Sequence, residues 1–348
     1  MRLRSYPLMF VSIMTFPLIV ASALAAEGDW TIGSRTLPAP VAGSEALRIS
    51  ISSTPAPNVA MASQPVDDAT LTTMGAPKSL DLDALGKSAG VTITKDTIAG
   101  VKVYHVKPDR IAPEHTNHLF VHLHSGGYVL GGGDSSVTEA VVVVAASSGI
   151  SAVSIDYRMP PEAPFPAAVD DTIAVYREVL KTRQPGQIAI GGTSAGAGLS
   201  FAATHQMKSL NLPVPGAIFA GTPWADLTKT SDTLYSLEGI DRILVSYDGL
   251  VESLALFYAG GQDLKNPLIS PLYGDFDGFP PTILVSGTRD MFLSDTVRAH
   301  RKLRDVGVVA DLHVFEGLSH AGYLVVEGSP ESISTFQEVS MFLKTHLK

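Results

Sequence analysis

Residues 188–196 read IAIGGTSAG, and this short stretch predicts both a fold and a reactive site. Its first half is an apolar run typical of a buried strand, and a helical pattern begins at Ala195. Between them Gly192, Ser194 and Gly196 form G-x-S-x-G, in which small neighbours permit a sharp turn that exposes the serine at the strand end. The N-terminus of the following helix favours negative charge that develops beside this serine. A strand-to-helix turn without chemistry uses similar residues, but the strand and helix on either side favour Ser194 as a nucleophile.

Short apolar runs and helical patterns alternate along the chain around this turn. The apolar runs cover residues 119–123, 152–155, 188–190, 217–220, 283–285 and 312–315. The helical patterns cover residues 135–147, 167–181, 195–210, 294–306 and 330–346. This alternation predicts an α/β fold with a mostly parallel sheet of about eight strands and helices on both faces. Two β-rich runs at 91–94 and 101–104, joined through Ala99 and Gly100, predict a hairpin in front of it.

An acid and a histidine follow later strands, in the order that such a serine requires. Asp290 and His320 each lie a few residues after one of the apolar runs. Loops at the carboxyl ends of parallel strands meet at one edge of the sheet, so both side chains are expected near Ser194. The order serine, acid, histidine predicts a triad of Ser194, Asp290 and His320. Asp295 is the alternative acid, but its place at the start of a helix suits a carboxylate that caps free N–H groups.

A glycine-rich loop, HSGG, begins at His124 and ends an earlier strand. Glycines here allow backbone N–H groups to converge on the oxygen of a tetrahedral intermediate. Gly126, Gly127 and Ala195, the residue after the nucleophile, are therefore the predicted oxyanion hole. His122 and His124 share a strand face and are an alternative as metal ligands, but no acidic or thiol partner lies near them in the sequence. We expect His124 to brace the loop, and the chemistry requires no metal.

The composition suits one large core and argues against nucleic acid as a partner. The chain has 348 residues, of which 45% are hydrophobic, and its formal net charge is −9. Basic residues do not cluster, whereas phosphate binding requires a concentrated cationic surface. The sequence contains no cysteine, so disulfides cannot stabilise it.

Residues 1–25 have the pattern of a secretory signal peptide. Arg2 and Arg4 precede an almost wholly apolar stretch at 8–24, and Ala23-Leu24-Ala25 has the small-x-small form of a cleavage site. The apolar stretch falls short of the roughly 20 residues of a membrane-spanning helix, and a lipoprotein anchor would need a cysteine. We therefore expect export to the periplasm or the medium, without a stable membrane anchor.

Two segments depart from the alternation of strands and helices. Residues 26–90 contain many prolines and look irregular, apart from one possible helix near 80–88. Residues 222–282 separate two strands and contain amphipathic pieces such as 248–258. A structureless loop of that length is uncommon, so this segment is predicted to be an inserted helical subdomain over the active edge of the sheet.

Taken together, these motifs resemble the hormone-sensitive-lipase family of α/β-hydrolases, the bacterial esterases with an HGGG loop. The resemblance spans residues 90–345, and its most specific part is DYRMPPE at 156–162 followed by FPAA at 165–168. Within that block, the resemblance implies that Asp156 and Arg158 are structural polar anchors and not catalysts.

Two positions differ from the family pattern. Thr193 stands where the family usually has an acidic residue, and Ser125 replaces the first glycine of HGGG. Two further stretches, PWADLT at 223–228 and NPLISPL at 266–272, are similar to the branch of acetyl-hydrolases and monoterpene ε-lactone hydrolases.

The family implies an α/β-hydrolase fold whose catalytic domain covers 91–348, with a helical cap built from residues 26–90 and in part from the insertion at 222–282. It also implies a serine carboxylesterase that hydrolyses short-chain esters or lactones through an acyl-enzyme, without a cofactor. A small-molecule ester or lactone is then the expected partner, and a homodimer is left open.

Other functions are compatible with the same residues. An amidase, a peptidase or a true lipase acting at lipid interfaces would use the same triad, and a non-catalytic binder resembling the plant gibberellin receptor would lack the histidine. A roofed pocket favours acyl chains of about two to six carbons, because each buried methylene adds about 0.8 kcal/mol only until the pocket is full. Trp224, Phe257 and Tyr258 are candidates to line that pocket, and packing in the core is the alternative for each.

Overall fold

In the computed structural model, which describes residues 33–34, 36–146 and 149–348, eight strands form a single mixed sheet. The strands are β1 (Val91–Ile98), β2 (Val101–Pro108), β3 (Leu119–Leu123), β4 (Ser151–Ile155), β5 (Ile188–Thr193), β6 (Ala217–Gly221), β7 (Thr282–Gly287) and β8 (Ala310–Phe315). Their order across the sheet is β1-β2-β4-β3-β5-β6-β7-β8. The pairs β1–β2 and β2–β4 are antiparallel, and the remaining pairs are parallel. The predicted hairpin and the predicted mostly parallel α/β sheet are both confirmed.

Helices cover both faces of this sheet. The α-helices are α1 (Glu45–Ser53), α2 (Val59–Ala62), α3 (Asp68–Met74), α4 (Leu82–Ala89), α5 (Thr138–Ala146), α6 (Ala167–Val179), α7 (Ala195–Ser209), α8 (Thr233–Ser236), α9 (Glu252–Ala259), α10 (Leu293–Asp305), α11 (Gly322–Val325) and α12 (Pro330–His346). Single 3₁₀ turns occupy Pro113–His115, Asp134–Val137, Pro185–Gln187 and Pro271–Tyr273. Helices α6, α7 and α10 pack into one hydrophobic core, and α5 and α12 pack into a second one. The five predicted helical patterns correspond to α5, α6, α7, α10 and α12.

The central strands are buried along their whole length. Every residue of β3, β5, β6 and β7 is buried, as expected for parallel strands that have helices on both faces. The structure extends β5 beyond the apolar run, to Thr193. The strand therefore carries its glycines and Ser194 directly to the carboxyl edge of the sheet.

The expectation that residues 26–90 are irregular is wrong for much of the described part. Helices α1, α2 and α3 precede the one helix that was expected near 80–88, which is α4. Each of the four follows an N-cap whose side chain accepts an N–H from the first turn, and these caps are Ser44, Asn58, Asp67 and Asp81. Such short helices give too few turns for a hydrophobic period to stand out in the sequence.

The N-terminal helices contact the insertion at 222–282. The Arg242 guanidinium donates to Thr54 O at 2.6 Å, and Val66 N donates to Ser253 Oγ at 3.0 Å. The two segments that the sequence suggested as a cap therefore lie side by side.

The insertion contains less regular helix than predicted. The amphipathic piece at 248–258 becomes α-helical only at Glu252, because Asp248 and Gly249 have non-helical dihedral angles within a π-type turn, Tyr247–Val251. The backbone of Gly249 packs against the end of α2, where a Cβ atom would lie 2.1 Å from Ala62 O. Contact with the N-terminal segment thus accompanies the kink.

Part of the insertion also lies in the core instead of over the sheet edge. Trp224, Leu227, Ile269 and Leu272 are buried in the same hydrophobic core as α7. Tyr247, Leu254 and Tyr258 from the middle of the insertion belong to the same core, so the segment 222–282 packs into the main body along its length.

The predicted signal peptide at 1–25 lies outside the described residues. Of the unit Met1–Pro38, the described residues are 33–34 and 36–38, and they have no helix or strand. In the described ranges, the structure has no helix of the length and apolarity needed to cross a membrane.

Candidate active site

Ser194 sits on a strained turn between β5 and α7. Its dihedral angles are φ 59° and ψ −120°, a region that costs a non-glycine residue about 1–3 kcal/mol. Backbone hydrogen bonds hold it there, from Ser194 N to Gly221 O at 2.8 Å and from Trp224 N to Ser194 O at 3.1 Å. Glycine is required at 196, because a Cβ atom there would lie 1.9 Å from Leu123 O. The G-x-S-x-G motif therefore lets the turn pack directly against β3 and present the serine side chain.

His320 and Asp290 form a hydrogen-bonded row with this serine. The His320 Nε2 atom lies 2.9 Å from Ser194 Oγ, and its Nδ1 atom lies 3.1 Å from Asp290 Oδ1. Asp290 Oδ2 accepts a further hydrogen bond from Ser286 Oγ at 2.6 Å, and Oδ1 accepts one from Phe292 N at 2.9 Å. An ionised carboxylate only accepts, so we assign the proton to Nδ1, which leaves Nε2 free to accept from the serine. The structure thus brings together the three residues that the sequence had proposed as a triad.

Asp295, the alternative acid, lies elsewhere and performs a different task. Its carboxylate accepts hydrogen bonds from Ala225 N at 3.0 Å, Asp226 N at 2.8 Å and Ser231 Oγ at 2.5 Å. The expectation that it caps its own helix is wrong, because these donors belong to the segment after β6. Burial raises the pKa of Asp295 to about 7, and the hydrogen bonds that it accepts from Ser231 and the backbone act in the opposite direction.

Gly126 and Gly127 line the pocket beside Ser194. Gly126 has φ 110°, and a Cβ atom there would lie 2.2 Å from Leu130 O, so only glycine fits. Among the described residues, the N–H groups of Gly126 and Gly127 have no backbone acceptor. Two free donors at this position, together with Ala195 N at the start of α7, are what binding of an oxyanion requires.

His124 braces this loop, as its place in the sequence suggested. Its Nδ1 atom donates to Ser125 O at 2.8 Å, and its ring stacks on Tyr157 at 3.9 Å between centroids. The Tyr157 hydroxyl donates in turn to His124 O at 2.9 Å. Burial lowers the pKa of His124 to about 3, so the ring is neutral at physiological pH.

His122 belongs to a buried polar chain behind the nucleophile and does not face the pocket. Its Nδ1 atom lies 2.7 Å from Ser154 Oγ, and its Nε2 atom lies 3.3 Å from Glu139 Oε2. The other oxygen of Glu139 accepts from the Thr193 hydroxyl, which also contacts the Tyr323 hydroxyl at 2.6 Å. The acidic partner of His122 is thus Glu139 on α5, which the sequence analysis did not identify. A carboxylate from α5 contacts the residue before the nucleophile, at which the family usually has an acid.

Asp156 and Arg158 have the structural contacts that the resemblance implied. Asp156 Oδ1 accepts from Gly133 N at 2.9 Å, and the Arg158 guanidinium pairs with the Asp171 carboxylate at 2.7 Å. Both tie the segment after β4 to its neighbours.

A pocket of about 270 Å³ contains the triad serine and histidine. It is lined by Ser125, Gly126, Gly127, Leu130, Ser194, Trp224, Ile243, Leu244, Leu250, Val251, Leu254, Phe292, His320 and Ala321. Trp224 stacks on Phe292 at 5.5 Å, and Phe292 meets the His320 ring edge-on at 4.8 Å. A larger cavity of about 580 Å³ beside residues 156–163 contains none of the predicted catalytic or oxyanion residues. The smaller, mostly apolar pocket is therefore the candidate substrate site.

Two of the three aromatic residues expected in this pocket lie outside it. Trp224 lines the pocket, but Tyr258 is buried in the core and stacks on Tyr128 at 4.0 Å. Phe257 faces a separate cleft beside Pro160 and Pro164. Core packing, the alternative to a place in the pocket, holds for Tyr258, and α9 turns both side chains away from the triad.

Comparison with known proteins agrees with this geometry. A family model described as alpha/beta hydrolase fold matches residues 120–324. An acetyl-hydrolase of Streptomyces hygroscopicus is 29% identical over 247 residues, which cover 70% of this chain and 82% of the relative. The crystal structure of an esterase called E25 has a TM-score of 0.86 and 45% identity, and it covers 92% of this chain and 99% of its own. A hormone-sensitive lipase from a metagenome library has a TM-score of 0.69 and 27% identity, and the match covers 82% of this chain and 100% of that one.

Proposed function

We propose, from the premise that this chain belongs to the α/β-hydrolase fold family and is a carboxylic ester hydrolase, that it cleaves short-chain esters or lactones through an acyl-enzyme on Ser194. The observation that carries the proposal is the row from Ser194 Oγ through His320 to Asp290, with separations of 2.9 and 3.1 Å. This row opens into the one cavity described above that holds both the serine and the two loop glycines.

In the acylation step, His320 Nε2 takes the proton of Ser194 as the serine oxygen attacks the ester carbonyl carbon. Asp290 holds the proton on Nδ1 and stabilises the imidazolium that forms. The bond to the leaving alcohol then breaks, and the alcohol oxygen receives the proton from His320. The acyl group is left on Ser194.

In the deacylation step, water follows the same path. His320 takes a proton from a water molecule as the water oxygen attacks the acyl carbon. When the bond between the acyl carbon and Ser194 Oγ breaks, His320 returns the proton to the serine. For a lactone the alcohol and the acid are parts of one molecule, so the product is a single hydroxy acid.

The N–H groups of Gly126, Gly127 and Ala195 stabilise the negative oxygen of both tetrahedral intermediates. Removing one such donor lowers turnover by about a hundred- to a thousand-fold in a comparable enzyme. The support for this role is the position of the three residues around Ser194 and the absence of backbone acceptors for the two glycines in the described chain.

The size and apolar lining of the pocket support a preference for short acyl groups. A cavity of about 270 Å³ lies just below the usual range of ligand sites, which is about 300 to 1,000 Å³. We expect kcat/KM to be greatest at about two to six acyl carbons, because longer chains leave methylenes in water.

The test compares the wild-type chain with Ser194→Ala on p-nitrophenyl esters from acetate to laurate, a lactone series and a p-nitroanilide. We expect ester or lactone hydrolysis in the wild type, and a loss of up to about a million-fold in the variant, since the triad works as a unit. Ser200→Ala, a buried serine on α7, is the matched control and should keep its activity.

Labelling provides an independent readout of the nucleophile. A fluorophosphonate should add a single phosphonyl group to the wild type, visible by intact mass, and none to Ser194→Ala. Labelling of the variant would show a different nucleophile. A rate that rises up to long chains or at lipid interfaces would indicate a lipase, and faster anilide cleavage would indicate an amidase.

A further inference from the structure

A second buried carboxylate, Asp241, lies beside the row of Ser194, His320 and Asp290, and the mechanism above does not use it. Its side chain is fully buried in the insertion. Its Oδ2 atom accepts from Met291 N at 2.8 Å and from His320 N at 3.2 Å. Its other oxygen, Oδ1, holds the adjoining backbone of the insertion. A single side chain therefore contacts the loops that carry both the acid and the histidine.

The Oδ1 contacts lead to the wall of the pocket. Oδ1 accepts from Ile243 N at 2.8 Å and from Leu244 N at 3.2 Å. Ile243 and Leu244 both line the cavity that contains Ser194. Asp241 thus joins three separate segments: the loop after β7, the loop after β8 and the pocket wall.

Asp241 is not a second catalytic acid. It contacts the backbone N–H of His320 and not the imidazole ring, whose Nδ1 atom is hydrogen-bonded to Asp290. Met291 is the residue directly after Asp290. The aspartate therefore acts on the main chain at the histidine and next to the acid, where a small shift changes the distance between their side chains.

The loops after β7 and β8 have other contacts, which involve neither the N–H of Met291 nor that of His320. Arg289 N donates to Leu318 O at 3.0 Å, and Gly317 N donates to Thr288 Oγ1 at 2.8 Å. The ladder between β7 and β8 ends before them, at Gly287 and Phe315. Asp241 makes the connection at the level of the triad itself.

A carboxylate at this place is costly. Burial and the nearby charge of Asp290 raise the pKa of Asp241, while His320 and the backbone N–H groups act in the opposite direction. The four polar contacts described for its oxygens are all N–H donors, and four donors fit an anion with two oxygens. An asparagine has one oxygen and an NH₂ group, so it can serve no more than two of them. The site therefore selects a carboxylate.

We propose that Asp241 is a positioning residue, which sets the distance between His320 and Asp290 through the N–H groups of His320 and Met291 and couples it to the pocket wall. This inference rests on the proposed triad. The tertiary structure assigns the role by juxtaposition, since Asp241 lies 49 residues before Asp290 and 79 before His320 in the chain.

The experiment compares Asp241→Asn with the wild type on p-nitrophenyl acetate. We expect kcat to fall about a hundred-fold, the effect of a misplacement of about 1 Å in an active site, while KM changes by less than about three-fold, because an interaction needed in the transition state is lost. Asp226→Asn is the matched control: it is a buried aspartate of the same insertion, bonded to Thr228, Thr230 and Arg298. It should lower the melting temperature without this loss of kcat.

A double-mutant cycle separates positioning from general destabilisation. If Asp241 acts through the pair of His320 and Asp290, its effect on kcat should shrink to a few-fold in an Asp290→Asn background. Equal effects in both backgrounds would overturn the proposal, as would a change confined to KM or to the melting temperature.

Two further measurements keep the test decisive. If Asp241→Asn does not fold, Asp241→Glu retains the charge but displaces it by one methylene, and an unchanged kcat in that variant overturns the proposal. Failure of the proposed function is recognised separately: Ser194→Ala would then keep its activity, whatever Asp241→Asn does.

Discussion

Two buried aspartates five residues apart, Asp290 and Asp295, differ in the partners that they contact. Asp290 accepts from the His320 ring and from Ser286, whereas Asp295 holds the segment after β6. Both residues lie after the same strand and both are buried. The difference is decided by which donors the neighbouring loops bring within reach.

This difference gives a paired prediction at the scale of single residues. We expect Asp290→Asn to lower kcat on the order of ten-thousand-fold, because the amide stabilises the wrong histidine tautomer. Asp295→Ala should instead cost stability, since it leaves buried donors of Ala225, Asp226 and Ser231 without a partner, at about 1–3 kcal/mol each. Steady-state kinetics and urea unfolding of both variants check the assignment. Asp295→Ala with the larger kinetic defect and Asp290→Asn with the larger stability defect would reverse it.

The buried polar chain behind Ser194 contains a contact that cannot be predicted from the sequence around a single residue. In the sequence, His122 is an alternative metal ligand because it shares a strand face with His124. In the structure its ring contacts Ser154 and Glu139, and Glu139 also accepts from Thr193. The acid is 17 residues away in the chain and on a helix, so no local pattern relates the two.

At the scale of elements, the short helix α9 and the kink before it form one wall of the pocket. Leu250, Val251 and Leu254 of this stretch line the cavity, and a Cβ atom on Gly127 would lie 2.7 Å from a methyl group of Leu254. The wall therefore packs directly against the proposed oxyanion loop and limits the space for an acyl chain.

We expect Leu254→Ala to move the chain-length preference toward longer acyl groups. Each methylene that the enlarged pocket can bury adds about 0.8 kcal/mol, roughly a four-fold gain in kcat/KM. The ratio of kcat/KM for octanoate to that for acetate should therefore rise, at a stability cost of about 2–5 kcal/mol.

Leu256→Ala is the control on the same helix, because that side chain is 57% exposed and does not line the pocket. If the ratio of kcat/KM for octanoate to that for acetate were the same in Leu254→Ala as in Leu256→Ala, α9 would not limit the length of the acyl chain. A collapse of the acetate rate in Leu254→Ala would instead point to damage of the oxyanion loop.

At the scale of the whole molecule, the formal net charge is −9, and the pattern at the N-terminus predicts the compartment in which the protein functions. We propose that residues 1–25 direct export and are removed, which leaves Ala26 at the N-terminus. Mass spectrometry of the protein from its native host should find this terminus in the periplasm or the medium. Replacing Ala23 and Ala25 with leucine should block cleavage, because signal peptidase accepts small residues there. Native protein with an intact Met1 segment would contradict the proposal.

Whether a feature can be predicted from the sequence depends on how far along the chain the interactions that produce it extend. Alternating apolar runs, the turn at Ser194 and the order of Asp290 and His320 are local patterns, because burial of strands and the steric needs of a turn act over a few residues. The fold and the family that they predicted are confirmed, and the five other predicted site residues lie around Ser194. Their catalytic roles stay predictions until the variants are measured.

Only the tertiary structure decided the partners of the buried carboxylates and the shape of the pocket. Asp241, Glu139 and Asp295 each contact groups that are distant in the chain, and the choice depends on which donors remain free after the sheet and helices have packed. The short helices α1 to α3 and the kink before α9 were missed for a related reason. They are set by caps and by contact between the N-terminal segment and the insertion, and neither leaves a hydrophobic period that can be read from the residues alone.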